Sequence, residues 1–285
     1  MKKETTLITG ASSGIGLELA REFAKHGHHL VLVARVQSEL DAIAEELSFD
    51  YGIEVGVIAK DLSRPESAQQ IFEMFHREGV EVEILVNNAG LGQKGKFWES
   101  SMEKDIEMIR VNVETTMRLT RLFLPPMVER NRGRVLNTAS IAGFEPGPLL
   151  AVYHATKAFV LSFSEAIATE LEHTNVTVTA LCPGATDTDF FPKADMMATR
   201  AFQKNAVMTP QEVAKGGYEA LIRGDRVFVP GLINKTLVFS RRLMTEHAQS
   251  KVNEKFYEDV DPDDVTHERG DYVAKSRLVG AFNQK

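Results

Sequence analysis

The chain has 285 residues, 43% hydrophobic and 26% charged, with a formal net charge of −7. That is an ordinary globular composition, and an acidic balance argues against a general nucleic-acid binder. One cysteine, Cys182, excludes an internal disulfide framework and a zinc site of several thiolates; it suits a reducing compartment, so a cytoplasmic location is expected.

No apolar stretch follows the two lysines near the start, and no run approaches the roughly 18 apolar residues of a membrane span. Neither a signal peptide nor a transmembrane helix is expected. In chain order, Thr5–Thr9 reads as a short strand, followed by glycines at 10, 14 and 16 and an amphipathic helix over Ile15–Lys25. His28–Ala34 is a nearly continuous apolar strand, and Ser38–Phe49 a helix with Ser38 as its expected N-cap. Glu54–Ala59 is a third strand, Glu66–Arg77 a third helix and Ile84–Val86 a fourth strand. One long helix is expected over Met102–Glu129, bent near Pro125 and Pro126. Arg134–Thr138, Val176–Leu181 and Val227–Val229 complete the strands; Tyr153–Leu171 and Gln211–Ile222 complete the helices.

Strands that read as apolar runs are buried on both faces. Alternation of such strands with helices predicts an α/β fold: a single Rossmann-type doubly wound domain, with a parallel seven-stranded sheet and helices on both faces. Ligands are then expected outside the carboxyl ends of the strands. The domain is expected to span residues 1–245. Residues 246–285 are expected as an acidic C-terminal tail, solvated or packed on the surface, because Glu254–Asp271 carries eight acidic and two basic residues.

Thr9–Gly16 (TGASSGIG) lies between the first strand and the first helix. Glycines allow close backbone approach, and the helix start offers unpaired N–H groups to a pyrophosphate. The expected dinucleotide contacts here are Gly10, Ser12, Ser13, Gly14, Ile15 and Gly16. Arg35 stands at the end of the second strand, where an acidic residue would favour NAD and an arginine accommodates the extra phosphate of NADP. NADP(H) is therefore favoured over NAD(H). After the third strand, Asp61 either hydrogen-bonds the adenine or caps its own turn, with Leu62 beside it in the same site.

Ser140 ends the fifth strand, and Tyr153 and Lys157 share a helix face at a spacing of four. A free tyrosine titrates near pH 10, and a neighbouring ammonium favours its phenolate. Tyr153 is thus expected to have a lowered pKa suited to acid–base work.

These segments resemble the short-chain dehydrogenase/reductase family, in its NADP-preferring reductase branch. The likeness rests on TGASSGIG, Asn87-Asn88-Ala89-Gly90, Asn112 within RVNVETT, Ser140, the YHATK segment and Pro183-Gly184, over about residues 5–240. One departure is Ser13, where many such reductases carry a lysine or arginine before the second glycine; it leaves the extra phosphate fewer partners. The resemblance implies that Tyr153 is the general acid–base, that Lys157 lowers its pKa and binds the nicotinamide ribose, and that Ser140 polarises the carbonyl. It implies that Asn112 holds a proton-relaying water, and that Asn88, Ala89 and Gly90 line the adenosine side. Pro183, Gly184, Thr186 and Thr188 would cover the nicotinamide. Self-association as a homodimer or homotetramer, through the helices near 102–129 and 153–171, is likewise implied.

The segment Phe190-Phe191-Pro192, with Met196, Met197, Phe202 and Met208, is expected over the active site and points to a hydrophobic carbonyl or alcohol substrate. Ile233–Met244 mixes apolar residues with Arg241 and Arg242; it closes the pocket or lies on a membrane surface, membrane contact being the lesser reading. No metal is expected, since the eight histidines show no paired ligand spacing. Two other functions compete. One is an NADP(H)-binding redox sensor or scaffold without turnover, against which the joint presence of Tyr153, Lys157, Ser140 and Asn112 argues. The other is a sugar epimerase or dehydratase, disfavoured by the three residues between the first two glycines.

Overall fold

The computed structural model describes residues 3–204, 206–241 and 243–274. Residues 275–285 of the expected tail, and Arg242, lie outside the described residues.

The side chains of β1 (Thr5–Thr9) show how the layers are built. Successive side chains of a strand point to opposite faces. Leu7 and Ile8 are both fully buried, yet they belong to different cores. The same division separates Leu85 from Val86 in β4 (Ile84–Asn87) and Val135 from Leu136 in β5 (Gly133–Thr138). A sheet buried on both faces needs helices on both, and each fully buried aliphatic side chain contributes roughly 1.5–3 kcal/mol.

On the Ile8 face lie α1 (Gly14–Lys25), α2 (Gln37–Tyr51) and α9 (Pro210–Arg223), through Phe23, Leu40 and Val213. On the Leu7 face lie α3 (Ser67–Glu78), α5 (Thr116–Glu129) and α6 (Ala151–Glu170), through Ile71, Leu119 and Ala168. The remaining strands are β2 (His29–Ala34), β3 (Val55–Ala59), β6 (Val176–Leu181) and β7 (Val227–Phe228). The seven strands are all parallel, in the order β3-β2-β1-β4-β5-β6-β7. Leu7 pairs with Val31 on one side and Leu85 on the other. The order reverses beside β1, so the crevice at the carboxyl ends of β1 and β4 is the expected ligand position.

Two local expectations are corrected. Ser38 is not the N-cap of α2; the helix starts one residue earlier, after Val36, and has no side-chain cap. The helix expected over 102–129 is not uniform: α4 (Met102–Ile109) passes into a π-helical turn over Arg110–Thr115 before α5 begins. Pro125 and Pro126, expected to bend the last part of this helix, lie inside α5.

The segment after residue 245, expected as a tail solvated or packed on the surface, keeps Val252 and Val265 exposed but turns other apolar positions inward. Beyond α7 (Phe190–Lys193), α8 (Arg200–Gln203) and α10 (Leu232–Arg241), the helix α11 (Glu246–Tyr257) adds Tyr257 to a cluster with Leu150, Phe191, Met196 and Phe202. Val260 is buried too. This third cluster roofs the carboxyl end of the sheet.

Candidate active site

A cavity of about 370 Å³ opens at that end of the sheet. Most of the sequence-predicted residues line it: Gly10, Ser12, Ser13, Gly14 and Ile15 from the first loop; Arg35; Asp61 and Leu62; and Asn88, Ala89 and Gly90 after β4. Ser140, Tyr153 and Lys157 line it from the other side, with Pro183, Gly184, Thr186 and Thr188 after β6. Gly16 and Asn112 do not line it.

The first loop has the form of an anion cradle. Gly14 opens α1 at φ +56°, in the left-handed region that side chains disfavour. Ser13, at the N-cap position, is extended and makes no side-chain cap, so its own hydroxyl leaves the first-turn N–H groups of α1 open. Gly16 serves by closeness. A Cβ there would lie 2.1 Å from the Gly10 carbonyl oxygen and 2.4 Å from Asn88 Nδ2. Asn88 ties three strand ends together: its backbone N–H donates to Thr9 Oγ1 at 3.0 Å, its Nδ2 to the Thr9 carbonyl at 3.1 Å, and its Oδ1 accepts from Thr138 at 3.3 Å. These features suit the pyrophosphate of a dinucleotide.

At the far end, the Arg35 side chain is 63% exposed and lies 3.9 Å from Glu107. Lys60, which the sequence did not single out, also lines this end, as do Glu39 and Glu107. Asp61 caps its own turn, accepting from Ser63 N at 3.0 Å and Ser63 Oγ at 2.8 Å. These bonds, the backbone one foremost, hold its carboxyl below the usual range.

At the reacting end, Ser140 is fixed. Its Oγ accepts from Ala142 N at 3.1 Å and donates to the Pro183 carbonyl at 3.3 Å. Lys157 is 5% exposed and its Nζ donates to the Thr138 carbonyl at 2.8 Å, standing 5.7 Å from the Tyr153 ring centroid. The expected lowering of the Tyr153 pKa is not found. Burial pushes the phenol up to about 12, and its contact with Ser140 is the opposing influence. Burial also pushes Lys157 down to about 8. The reason is geometric: the ammonium is turned to a carbonyl, and both groups lose water together.

Asn112 sits in the π-helical turn with its amide fully engaged. Its Oδ1 accepts from Leu91 N at 2.8 Å; its Nδ2 donates to Leu91 O and Thr156 Oγ1, both at 3.0 Å. It pins the loop after β4 to α6. The apolar segment after Thr188 divides. Phe190, Phe191 and Met196 line the cavity, with Phe190 5.2 Å from the Tyr153 ring. Phe202 is buried beneath them, and Met208 packs against the α1–α9 core.

Sequence reasoning missed a group behind this wall. His154 Nδ1 meets the Glu145 carbonyl at 2.8 Å, its Nε2 meets the Tyr257 hydroxyl at 3.1 Å, and Glu145 forms a buried ion pair with Arg241. The available signal was the Phe256-Tyr257 pair standing in an otherwise charged stretch. Among the described residues, no His, Cys, Asp or Glu cluster forms a metal site, and no helix is long and apolar enough to cross a membrane.

Comparison with known proteins gives the same picture. Residues 4–198 match the model of the family described as short chain dehydrogenase. A very-long-chain 3-oxoacyl-CoA reductase of Pyrenophora tritici-repentis is 42% identical over 170 residues, covering 58% of this chain and 50% of that protein. The chain thus spans about half the length of such curated relatives. An NADP-dependent 3-hydroxy acid dehydrogenase of Schizosaccharomyces pombe is 34% identical over 242 residues, 83% of this chain and 92% of that one. Among solved structures, a short-chain dehydrogenase from Sphingobium yanoikuyae in complex with NADPH superposes with a TM-score of 0.76 at 34% identity, covering 84% and 94% of the two chains.

Proposed function

The chain belongs to the short-chain dehydrogenase family, and from that premise we propose that it reduces a hydrophobic ketone or aldehyde with NADPH. The observation that carries the proposal is the meeting of Ser140, Tyr153 and Lys157 in one cavity with the glycine cradle. When bound, the nicotinamide supplies the hydride. Gly14 and Ile15 at the α1 start would hold the pyrophosphate, Arg35 the ribose phosphate, and Asn88 to Gly90 the adenosine side. Pro183, Gly184, Thr186 and Thr188 would face the nicotinamide.

The protein's own groups handle the proton. A phenol pushed up to about 12 stays protonated at neutral pH, so Tyr153 is ready to donate to a carbonyl oxygen. Ser140 stands beside that phenol, held by the Ala142 N–H, and its O–H, turned from the Pro183 carbonyl to the substrate oxygen, would orient the carbonyl. Lys157 keeps positive charge close to the developing alkoxide and phenolate, stabilising both. The apolar side of the cavity at Phe190, Phe191 and Met196 excludes water and supports a hydrophobic substrate. Exposed Ile106, Ile109, Met117 and Phe159, on the helices around 102–129 and on α6, support self-association through those helices.

The test is direct. The protein is mixed with NADPH and a panel of aryl, alkyl and 3-oxoacyl ketones while the dihydronicotinamide absorbance is followed. Consumption with at least one ketone is expected. Tight NADPH binding with no consumption across the panel would favour a sensor or scaffold instead.

A further inference from the structure

Tyr257 ends α11, well beyond residue 198 where the family match stops, yet it lines the same cavity as Tyr153 and Phe190. It is 7% exposed. Its hydroxyl is 3.1 Å from His154 Nε2, and His154 Nδ1 is 2.8 Å from the Glu145 carbonyl oxygen. A carbonyl only accepts, so Nδ1 carries the hydrogen. Burial holds the imidazole neutral, pushed down to about 4, so Nε2 is bare. The Tyr257 hydroxyl must therefore donate to His154. Its proton is committed there, and burial keeps the phenol protonated. Tyr257 is thus no second acid.

What remains is a rigid wall. The two rings meet edge-on at 5.4 Å. Asn253 Nδ2, one turn earlier on α11, donates to the Pro146 carbonyl at 2.8 Å, and Asn253 also bonds the buried Glu145, which pairs with Arg241. The backbone makes room for this clamp: a Cβ on Gly147 would lie 2.1 Å from His154 Cδ2. Phe256 and Leu150 continue the wall.

We propose that Tyr257, clamped by His154, is a specificity-determining residue that closes the substrate end of the cavity and limits the size of the group flanking the reacting carbonyl. The proposal rests on the carbonyl-reductase reading above. On this proposal a flat aryl or short alkyl flank is accepted against the wall and a second ring is rejected.

The test compares acetophenone and benzophenone as probes, binding each by calorimetry to the full chain saturated with NADP⁺. The native protein is expected to bind acetophenone about tenfold more tightly than benzophenone, the scale of discrimination an apolar pocket reaches. In Tyr257→Ala that ratio should fall to about one or invert, with NADP⁺ affinity unchanged. Tyr257→Phe keeps the ring and loses only the clamp. It should keep the preference, raise the acetophenone KM and leave the pH profile of kcat unchanged, since the lost proton is not used. An unmoved ratio in folded Tyr257→Ala, a displaced pH profile in Tyr257→Phe, or failure of every form to bind either ketone would overturn the proposal. Binding with the expected ratios but no NADPH oxidation would sink the reductase reading and leave the wall standing. Turnover with an unmoved ratio would do the reverse.

Discussion

Replacing Lys157 with methionine should make the protein more stable at neutral pH, although it removes a group central to the site. The Lys157 ammonium is buried, donates to the Thr138 carbonyl, and forms no ion pair with any carboxylate among the described residues. Burial displaces its pKa from 10.5 to about 8. At about 1.4 kcal/mol per pH unit, holding the charge costs the folded state about 3 kcal/mol. Below the folded value both states are charged and the whole cost is felt. Between about 8 and 10.5 the folded lysine sheds its proton first, so stability rises across that window. Tyr153 acts in the opposite direction, but only above its ordinary value near 10. Lys157→Met keeps the stem and drops the charge, while the Thr138 carbonyl loses its partner at a cost of about 1–2 kcal/mol. The variant should be about 1–2 kcal/mol more stable than the native protein at about pH 7, and no more stable at about pH 9.5. Urea unfolding of both proteins at the two pH values, without added cofactor, measures this. A variant less stable at neutral pH, or a difference that does not change with pH, would refute the reasoning.

Arg35→Ala should weaken NADPH binding by about 10- to 100-fold while leaving NADH within about twofold, because it removes a charge-assisted donor to one phosphate. Fluorescence titration of both nucleotides checks this, and equal losses for the two would remove Arg35 from the phosphate. Asp187 is fully buried between Thr186 and Thr188, and accepts from Arg269 Nη1 at 3.1 Å and from Gly270 N at 3.0 Å. Asp187→Ala should cost about 2–4 kcal/mol in urea unfolding and also weaken NADPH binding by unfastening that loop; a loss under about 1 kcal/mol would show the tie to be incidental.

The sheet was legible because each strand carries its own message. Runs such as Leu7-Ile8 and Leu85-Val86 are apolar at consecutive positions, which only a strand covered on both faces requires. The glycine loop, Ser140, Tyr153 and Lys157 were legible because their spacing is local and their chemistry specific. What stayed hidden depends on partners distant in sequence. Nothing in Arg110–Thr115 announces a π-helical turn. The Tyr153 pKa is set by what surrounds the ring, not by the lysine four residues on. His154 reads as one residue of a motif until Glu145 and Tyr257, which lies 103 residues away, are brought to its two nitrogens. After 245, charge counted along the chain left solvation and surface packing both open, and it did not show that Tyr257 and Val260 face inward. Arg35 was legible as a residue, but not its neighbour Glu107 across the cavity mouth.

The proposed reduction depends on the Tyr153 hydroxyl. Tyr153→Phe removes one oxygen and leaves the ring that packs against Phe190. Measured side by side with the native protein on a ketone it turns over, the variant should bind NADPH with unchanged affinity and lose kcat by at least about 100-fold, the contribution expected of a general acid. Turnover within about tenfold of the native rate, with the fold intact, would mean that the proton comes from elsewhere.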